Sequence, residues 1–424
     1  MIEKITQIFK VPDLRKKIIF TLLILVLFRF AAHIPVPGVD LENLKEFFQG
    51  NQFFGLLDIF SGGGMSSFSI IMMGIAPYIN ASIIMQLLTM VIPKLEAIQK
   101  EGEDGQRKIN RITRYLTVPL AAMQSYGMIT VLNQSSQPII NDLNPFRLVT
   151  IIITITAGTV FLMWLGELVT EKGIGNGISL LIFAGIISRV PSAIKETFAV
   201  ADAGQILSLF LFGAIAVVVV FGVVIITEGQ RNIPISYARR VQGNRLFGGV
   251  STHLPLRVNQ AGVIPIIFAI SIMLFPGMIA NFFVNAQTAW LASGAQSVAN
   301  LFQNQLFYGV LYFVMVVLFT YFYTAVVFNP DNIAENVQKQ GGFVPGIRPG
   351  KNTAEYLKRV LNRITLAGAL FLGAIAVLPL AIQGVTNIQT LTLGGTGLLI
   401  VVSVVIETMK QIESQLVMRD YEGF

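Results

Sequence analysis

Apolar residues run in long blocks along most of the chain, and short polar stretches between the blocks hold nearly all of the charge. A helix needs about 20 apolar residues to cross a hydrocarbon core of about 30 Å. By that measure the pattern gives ten candidate spans: 18–34, 68–92, 115–132, 148–169, 174–187, 206–227, 261–284, 306–328, 364–382 and 391–409. The fifth, at 14 residues, has the length of a core or re-entrant helix when taken alone. A barrel is excluded, because barrel strands alternate lipid-facing and lumen-facing residues, whereas these runs are continuous. The fold class is an all-α polytopic membrane protein.

Composition sharpens this picture. Of 424 residues, 54% are hydrophobic and 12% charged, about half the charge of an ordinary soluble chain. Charge also gives orientation. With the N-terminus placed in the cytoplasm, inside segments hold 25 of the 30 Lys and Arg, outside segments hold 4, and Arg29 lies within the first span. That asymmetry follows the positive-inside rule, predicts that both termini are cytoplasmic, and requires the short fifth span to cross. The net charge of +7 is then a property of topology and does not by itself point to nucleic acid. The basic start followed by an apolar run imitates a signal peptide; nine further spans and a long preface favour a retained first span. Without cysteine, disulfides, thiolate nucleophiles and Cys-rich metal sites are excluded.

Enzyme chemistry is missing. His33 and His253 lie in different loops, so no His pair shares a helix face to hold a metal, and no span contains a His that could serve an intramembrane protease. The stretch from Gly346 through Gly350, Lys351, Asn352 and Thr353 has the wrong glycine spacing for a phosphate loop. Gly173, Gly175 and Gly177 lack dinucleotide spacing and read as a hairpin between spans four and five. No cofactor and no metal are expected. Ion-coupled transport usually needs an ionisable group near the midplane, and Glu167, Glu228 and Glu407 all fall near cytoplasmic span ends. A transporter of a neutral solute stays open as the second reading.

Glycine and small polar residues are conspicuous. Gly74, Pro77 and Asn80 interrupt span two, and Ser61-Gly62-Gly63-Gly64 before it has apolar flanks from Leu56 to Phe68. Such backbone persists at membrane depth only where protein buries it or it lines a cavity; a surface loop before a kinked helix accounts for the composition equally well. Asn80, Gln124 and Asn259 read either as hydrogen-bonding glue between helices or as a polar seam that opens.

Several blocks resemble the SecY family, the central subunit of the bacterial protein-translocation channel. They are Arg29 to Gly38, Phe60 to Gly64, Gly74 to Ile84, Trp164 to Glu167 running into Gly173 to Ser179, Ser251 to Leu256, Ala261 to Pro265, and Phe328 to Pro330 through Gly342 to Gly350, in family order and spacing. The resemblance implies ten spans in two pseudo-symmetric five-helix halves, 1–200 and 201–424, around an hourglass pore. It implies a pore ring of Ile75, Ile79, Ile178, Ile182, Ile267 and Ile400, and a plug at about 56–67 that includes Phe60, Ser61, Gly62, Gly63, Gly64 and Met65. It places Asn80, Gln124 and Asn259 at a lateral gate, where apolar signal sequences leave for the lipid bilayer. It makes the cytoplasmic loops 228–260 and 329–363 docking surfaces for the ribosome, through ribosomal RNA and proteins, or for the motor ATPase SecA. Arg239, Arg240 and Arg245 suit RNA phosphates, and Arg348 matches a position used in motor-driven transport. SecE-type and SecG-type small subunits, signal sequences and unfolded secretory polypeptides are the further partners implied, in a bacterial plasma membrane. Ser67 and Asn232 stand where many relatives carry Arg, so plug anchoring and the first docking loop are expected to differ in detail.

Overall fold

The computed structural model describes residues 11–37, 39–40, 43–44, 58, 61–133, 139, 144–200, 206–237, 240–242, 245–247, 251–283, 288–386 and 394–422. Each apolar run of the sequence carries a helix, and most of the differences in boundary have local causes. The first helix, α1 (Pro12–Ala31), opens on proline, whose fixed φ and missing N–H suit a first turn. The second run is the largest departure: α2 spans only Ala76–Val91, with Pro77 in its first turn, and residues 61–75 form successive turns. Those turns are tied down by Val36 N–H donating to the Phe68 carbonyl at 2.8 Å and Ile70 N–H donating to the Ile34 carbonyl at 3.0 Å. They also lie against Gly158, where a Cβ would overlap the Ile70 carbonyl. The irregular backbone is thus buried in protein, the condition for its survival at membrane depth.

Short α3 (Pro93–Gln99) bends 106° from α2. It leads into α4 (Glu103–Asn133), which extends its apolar run by three polar turns that start with Glu103 and Asp104, acids favoured at a helix N-terminus. Next come α5 (Pro145–Lys172) and α6 (Gly177–Val200). The 14-residue run expected for α6 is therefore embedded in a helix of 24 residues that continues through Pro191. Then follow α7 (Ile206–Glu228), α8 (Ile264–Phe283), α9 (Ala289–Gln303), α10 (Gln305–Val327), α11 (Pro330–Lys339), α12 (Lys351–Thr386) and α13 (Gly394–Glu422). Among the described residues, 145–172, 305–339 and 351–381 are each long and apolar enough to cross a bilayer, as is the bent α2–α3 pair taken together. On α10, Leu306, Val310, Val314 and Leu318 are all exposed; the spacing of four puts them in one stripe, as lipid contact requires.

The all-α expectation omits two small sheets. Strands β1 (Gln230–Tyr237), β2 (Arg240–Gln242), β3 (Arg245–Phe247), β4 (Ser251–Arg257) and β5 (Gly342–Phe343) fall inside the two loops read as docking surfaces; one sheet is made of β4, β1 and β5 and the other of β2 and β3. β1 pairs antiparallel with β4 along its length and with β5 at its end, where Ser236 faces Phe343 and Tyr237 faces Gly342. Alternation puts Ile233 and Leu256 on one face, packed with Ala334, Val344, Ala354 and Leu357 in a cluster of its own. The two loops therefore form one body.

Within the helical part, α8 packs against α2 and α4 as well as α9 and α10, and α13 packs against α6, α7 and α12. One large apolar cluster runs through these helices.

Candidate functional site

Six isoleucines converge from four elements. Ile75 caps α2 and Ile79 follows one turn on; Ile178 and Ile182 are likewise one turn apart at the start of α6. Ile267 lies in the first turn of α8 and Ile400 early in α13. Ile75, Ile79, Ile182, Ile267 and Ile400 are all buried in the large cluster, and Ile178 is half-buried against it. The same cluster takes in Met65, Phe68, Ile71 and Met72. Aliphatic side chains, where they line a constriction, disfavour water and hydrated ions while yielding to an apolar side chain.

Of the residues read as plug, Phe60 lies outside the described residues; Ser61, Gly62, Gly64 and Met65 are buried and Gly63 is half-buried. Gly62, at φ 70°, has the conformation that favours glycine, and a Cβ there would come within 2.6 Å of the Phe28 ring. The segment is fixed by a polar network that the sequence does not disclose. Asp58 is 1% exposed. Its carboxylate is ion-paired with Arg189 of α6 and accepts the Ser66 N–H at 2.8 Å. Arg189 also donates to the Ser66 hydroxyl at 3.3 Å, and Arg29 of α1 donates to the Gly62 carbonyl at 2.6 Å. Ser67, the first departure from the family pattern, donates its hydroxyl to the carbonyls of Gly63 at 2.7 Å and Ala32 at 2.9 Å. The only signal for this network in the sequence is one acid among apolar residues and one base near the end of a span. Their pairing is tertiary.

Asn80, Gln124 and Asn259 are each buried, on or beside α2, α4 and α8, the helices that meet there. Among the described residues no hydrogen bond joins the three. Asn259 donates its amide to the Gly262 carbonyl at 3.2 Å, and both Asn80 and Asn259 keep a buried amide oxygen without a donor. The meeting line is polar without being bonded across by these side chains.

Two of the three carboxylates at span ends are ion-paired with bases. Glu167 pairs with Arg114 at 2.7 Å and Glu228 with Lys410 at 2.9 Å. On the sheet-bearing body, Arg348 is exposed in the turn between β5 and α12, and that turn is held by the Thr353 hydroxyl donating to the Arg348 carbonyl at 3.1 Å. Arg240 and Arg245 sit on the β2–β3 ladder, Arg240 opposite Phe247 and Gln242 opposite Arg245; Arg239 lies outside the described residues. Asn232, the second departure, is exposed on β1.

The SecY family profile matches residues 69–409. A protein translocase subunit SecY from Streptomyces galbus is 46% identical over 441 residues, covering 100% of both chains. The chain belongs to the SecY family. Two solved structures share the fold. One, described as a protein-conducting channel, superposes with a TM-score of 0.65 at 18% identity, over 95% of this chain and 92% of that one. The other, described as Sec61 in the canine ribosome-channel complex from the endoplasmic reticulum, gives 0.62 at 18% identity over the same shares. As a SecY-family chain it has a membrane channel subunit's architecture and not an enzyme's. The Asp58–Arg189 pair and the shared sheet are the features of this SecY chain that its sequence pattern leaves unread.

Proposed function

We propose that this chain is the pore-forming subunit of a protein-conducting channel of the bacterial plasma membrane. It moves secretory polypeptides across the bilayer and releases apolar helices sideways into lipid. The ten apolar runs act as spans, with both termini cytoplasmic, in halves 1–200 and 201–424; the pore lies between them. Ile75, Ile79, Ile178, Ile182, Ile267 and Ile400 form the constriction, and residues 56–67 stopper it when no substrate is present. Substrate leaves where α8 meets α2 and α4, beside Asn80, Gln124 and Asn259. The pore is a passive conduit driven by SecA or the ribosome, engaged through Arg239, Arg240, Arg245 and Arg348, with SecE-type and SecG-type subunits at its side.

The observation that carries this reading is the burial of six isoleucines from four separate elements in or against one cluster, immediately beside an irregular buried segment, in a chain 46% identical end to end to a translocase subunit. The test is site-specific photo-crosslinking from position 79 to a secretory chain stalled in mid-transfer. The control is Val217, which is 70% exposed on α7. A crosslink at Ile79 and none at Val217 is expected. Absence of a crosslink at Ile79, with the chain shown to be stalled in the membrane, would overturn the pore assignment and restore the neutral-solute transporter.

A further inference from the structure

The segment from Asp58 to Ser67 is held to the channel wall in two different ways. Its one described apolar side chain, Met65, joins the large cluster. Its polar groups are gripped by two bases from two helices. Arg189 of α6 reaches the Asp58 carboxylate and the Ser66 hydroxyl, while Arg29 of α1 reaches the Gly62 carbonyl. The geometry is tight: at Gly62 a Cβ would also come within 3.2 Å of the Gly185 backbone on α6. The acid is nearly inaccessible, whereas the Arg189 side chain is 32% exposed, so water can reach the pair from the side of the base.

The two kinds of contact behave differently when the segment leaves. Apolar contacts simply favour burial. An ion pair loses its mutual attraction on separation but recovers the hydration of both charges, so its net contribution to closure is small, while removal of one partner strands a buried charge at high cost. A pair of this kind selects a position more than it adds affinity.

We propose that Asp58, Arg189 and Arg29 are positioning residues that form an ionic latch, fixing where the 58–67 segment seats in the closed channel. The proposal rests on the plug reading given above and adds what locates the plug. Arg189 is the principal partner because its Nη2 engages two residues of the segment, the Asp58 carboxylate and the Ser66 hydroxyl. Arg29 fixes the middle of the segment through a carbonyl. The latch opens without a proton or a covalent step, because hydration takes the place of the pair.

The latch predicts strong non-additivity between its charged partners. The readouts are resting ion conductance of the complete complex in proteoliposomes, and labelling of a Met65→Cys reporter by a membrane-impermeant maleimide; the chain contains no other cysteine. Asp58→Asn alone and Arg189→Gln alone are each expected to raise conductance and labelling several-fold. The double variant Asp58→Asn/Arg189→Gln, with neither charge of that pair left to strand, is expected to return both close to the parent. Equal leakage from the single and double variants would overturn the latch, as would parent-like single variants. Deletion of residues 61–67 separates the two levels of failure: if it raises conductance while the single variants do not, the latch fails and the plug reading stands. If the deletion also changes nothing, the plug reading itself fails. Should a single neutral variant not accumulate, Arg189→Lys carries the test. It retains the charge but replaces the planar guanidinium with a compact ammonium on a different stem, and Met65→Cys labelling rises if the latch positions the segment and stays at parent level if it does not.

Discussion

Ile79 and Ile182 sit on different helices, α2 and α6, and both are buried in the large cluster. Neither side chain carries a polar atom, so their contribution to a pore can only be steric and apolar. Trimming them widens the constriction and removes the surface that keeps it dry. We therefore expect Ile79→Gly with Ile182→Gly to raise resting ion conductance several-fold, measured in planar bilayers without substrate; unchanged conductance would remove these two side chains from the seal. In the sequence, the isoleucines stand out through the family resemblance alone, since any isoleucine in an apolar run is equally well a lipid contact or core filler. Asp58 and Arg189 do not stand out at all. A single charge in a run carries no periodicity, and 131 residues separate the two.

At the scale of elements, the helices are legible because continuous apolar runs of this length have few other uses. The start of α2 is not. Residues 68–75 are as apolar as the helix that follows, and only Gly74 and Pro77 hint that the helix begins late. What holds these residues out of helix is a neighbour, α5, at the close approach of Gly158. Gly158→Ala should therefore be destabilising by about 1–3 kcal/mol, the usual cost of overpacking. Gly213, on α7, would place a Cβ in open space with nothing within 4 Å, and gives the opposite expectation. There Ala should leave stability unchanged or improve it by up to about 1 kcal/mol through helix propensity. Thermal unfolding of both variants in detergent decides between a packed and an open site, and a tolerated Gly158→Ala would count against the contact. The sheet is invisible in the sequence for a different reason. Ile233 and Ile235 alternate with Asn232 and Pro234 over too few residues to stand out, and β5, two residues long, lies about a hundred residues further on.

On the scale of the whole molecule, pairing of β1 with β5 makes the two sheet-bearing loops one body with its own apolar cluster. Arg348 reaches its surface, in a turn fixed by Thr353. Charge reversal there changes what a partner meets without disturbing the cluster. Arg348→Glu is expected to reduce SecA-driven export severalfold and to spare ribosome-coupled insertion, assayed side by side in the same vesicles; equal loss of both would argue that the turn supports the fold and is not a docking point. Leu357, buried in the cluster at the base of α12, gives the complementary expectation. Leu357→Ala should cost about 2–5 kcal/mol and depress both activities together, with lower thermal stability as the check.

The length of α12 adds a mechanical consequence. It runs unbroken for 36 residues, from Lys351 beside the sheet to Thr386, which at helical rise is a rod of roughly 54 Å. It packs against both α11 and α10. As a lever pivoted at its Lys351 end, a rod of that length turned by about 5° swings its Thr386 end by about 5 Å, close to the distance between neighbouring side chains. In the channel proposed above, a push on the sheet at one end of this helix would arrive at its other end as a displacement, with no messenger diffusing between them.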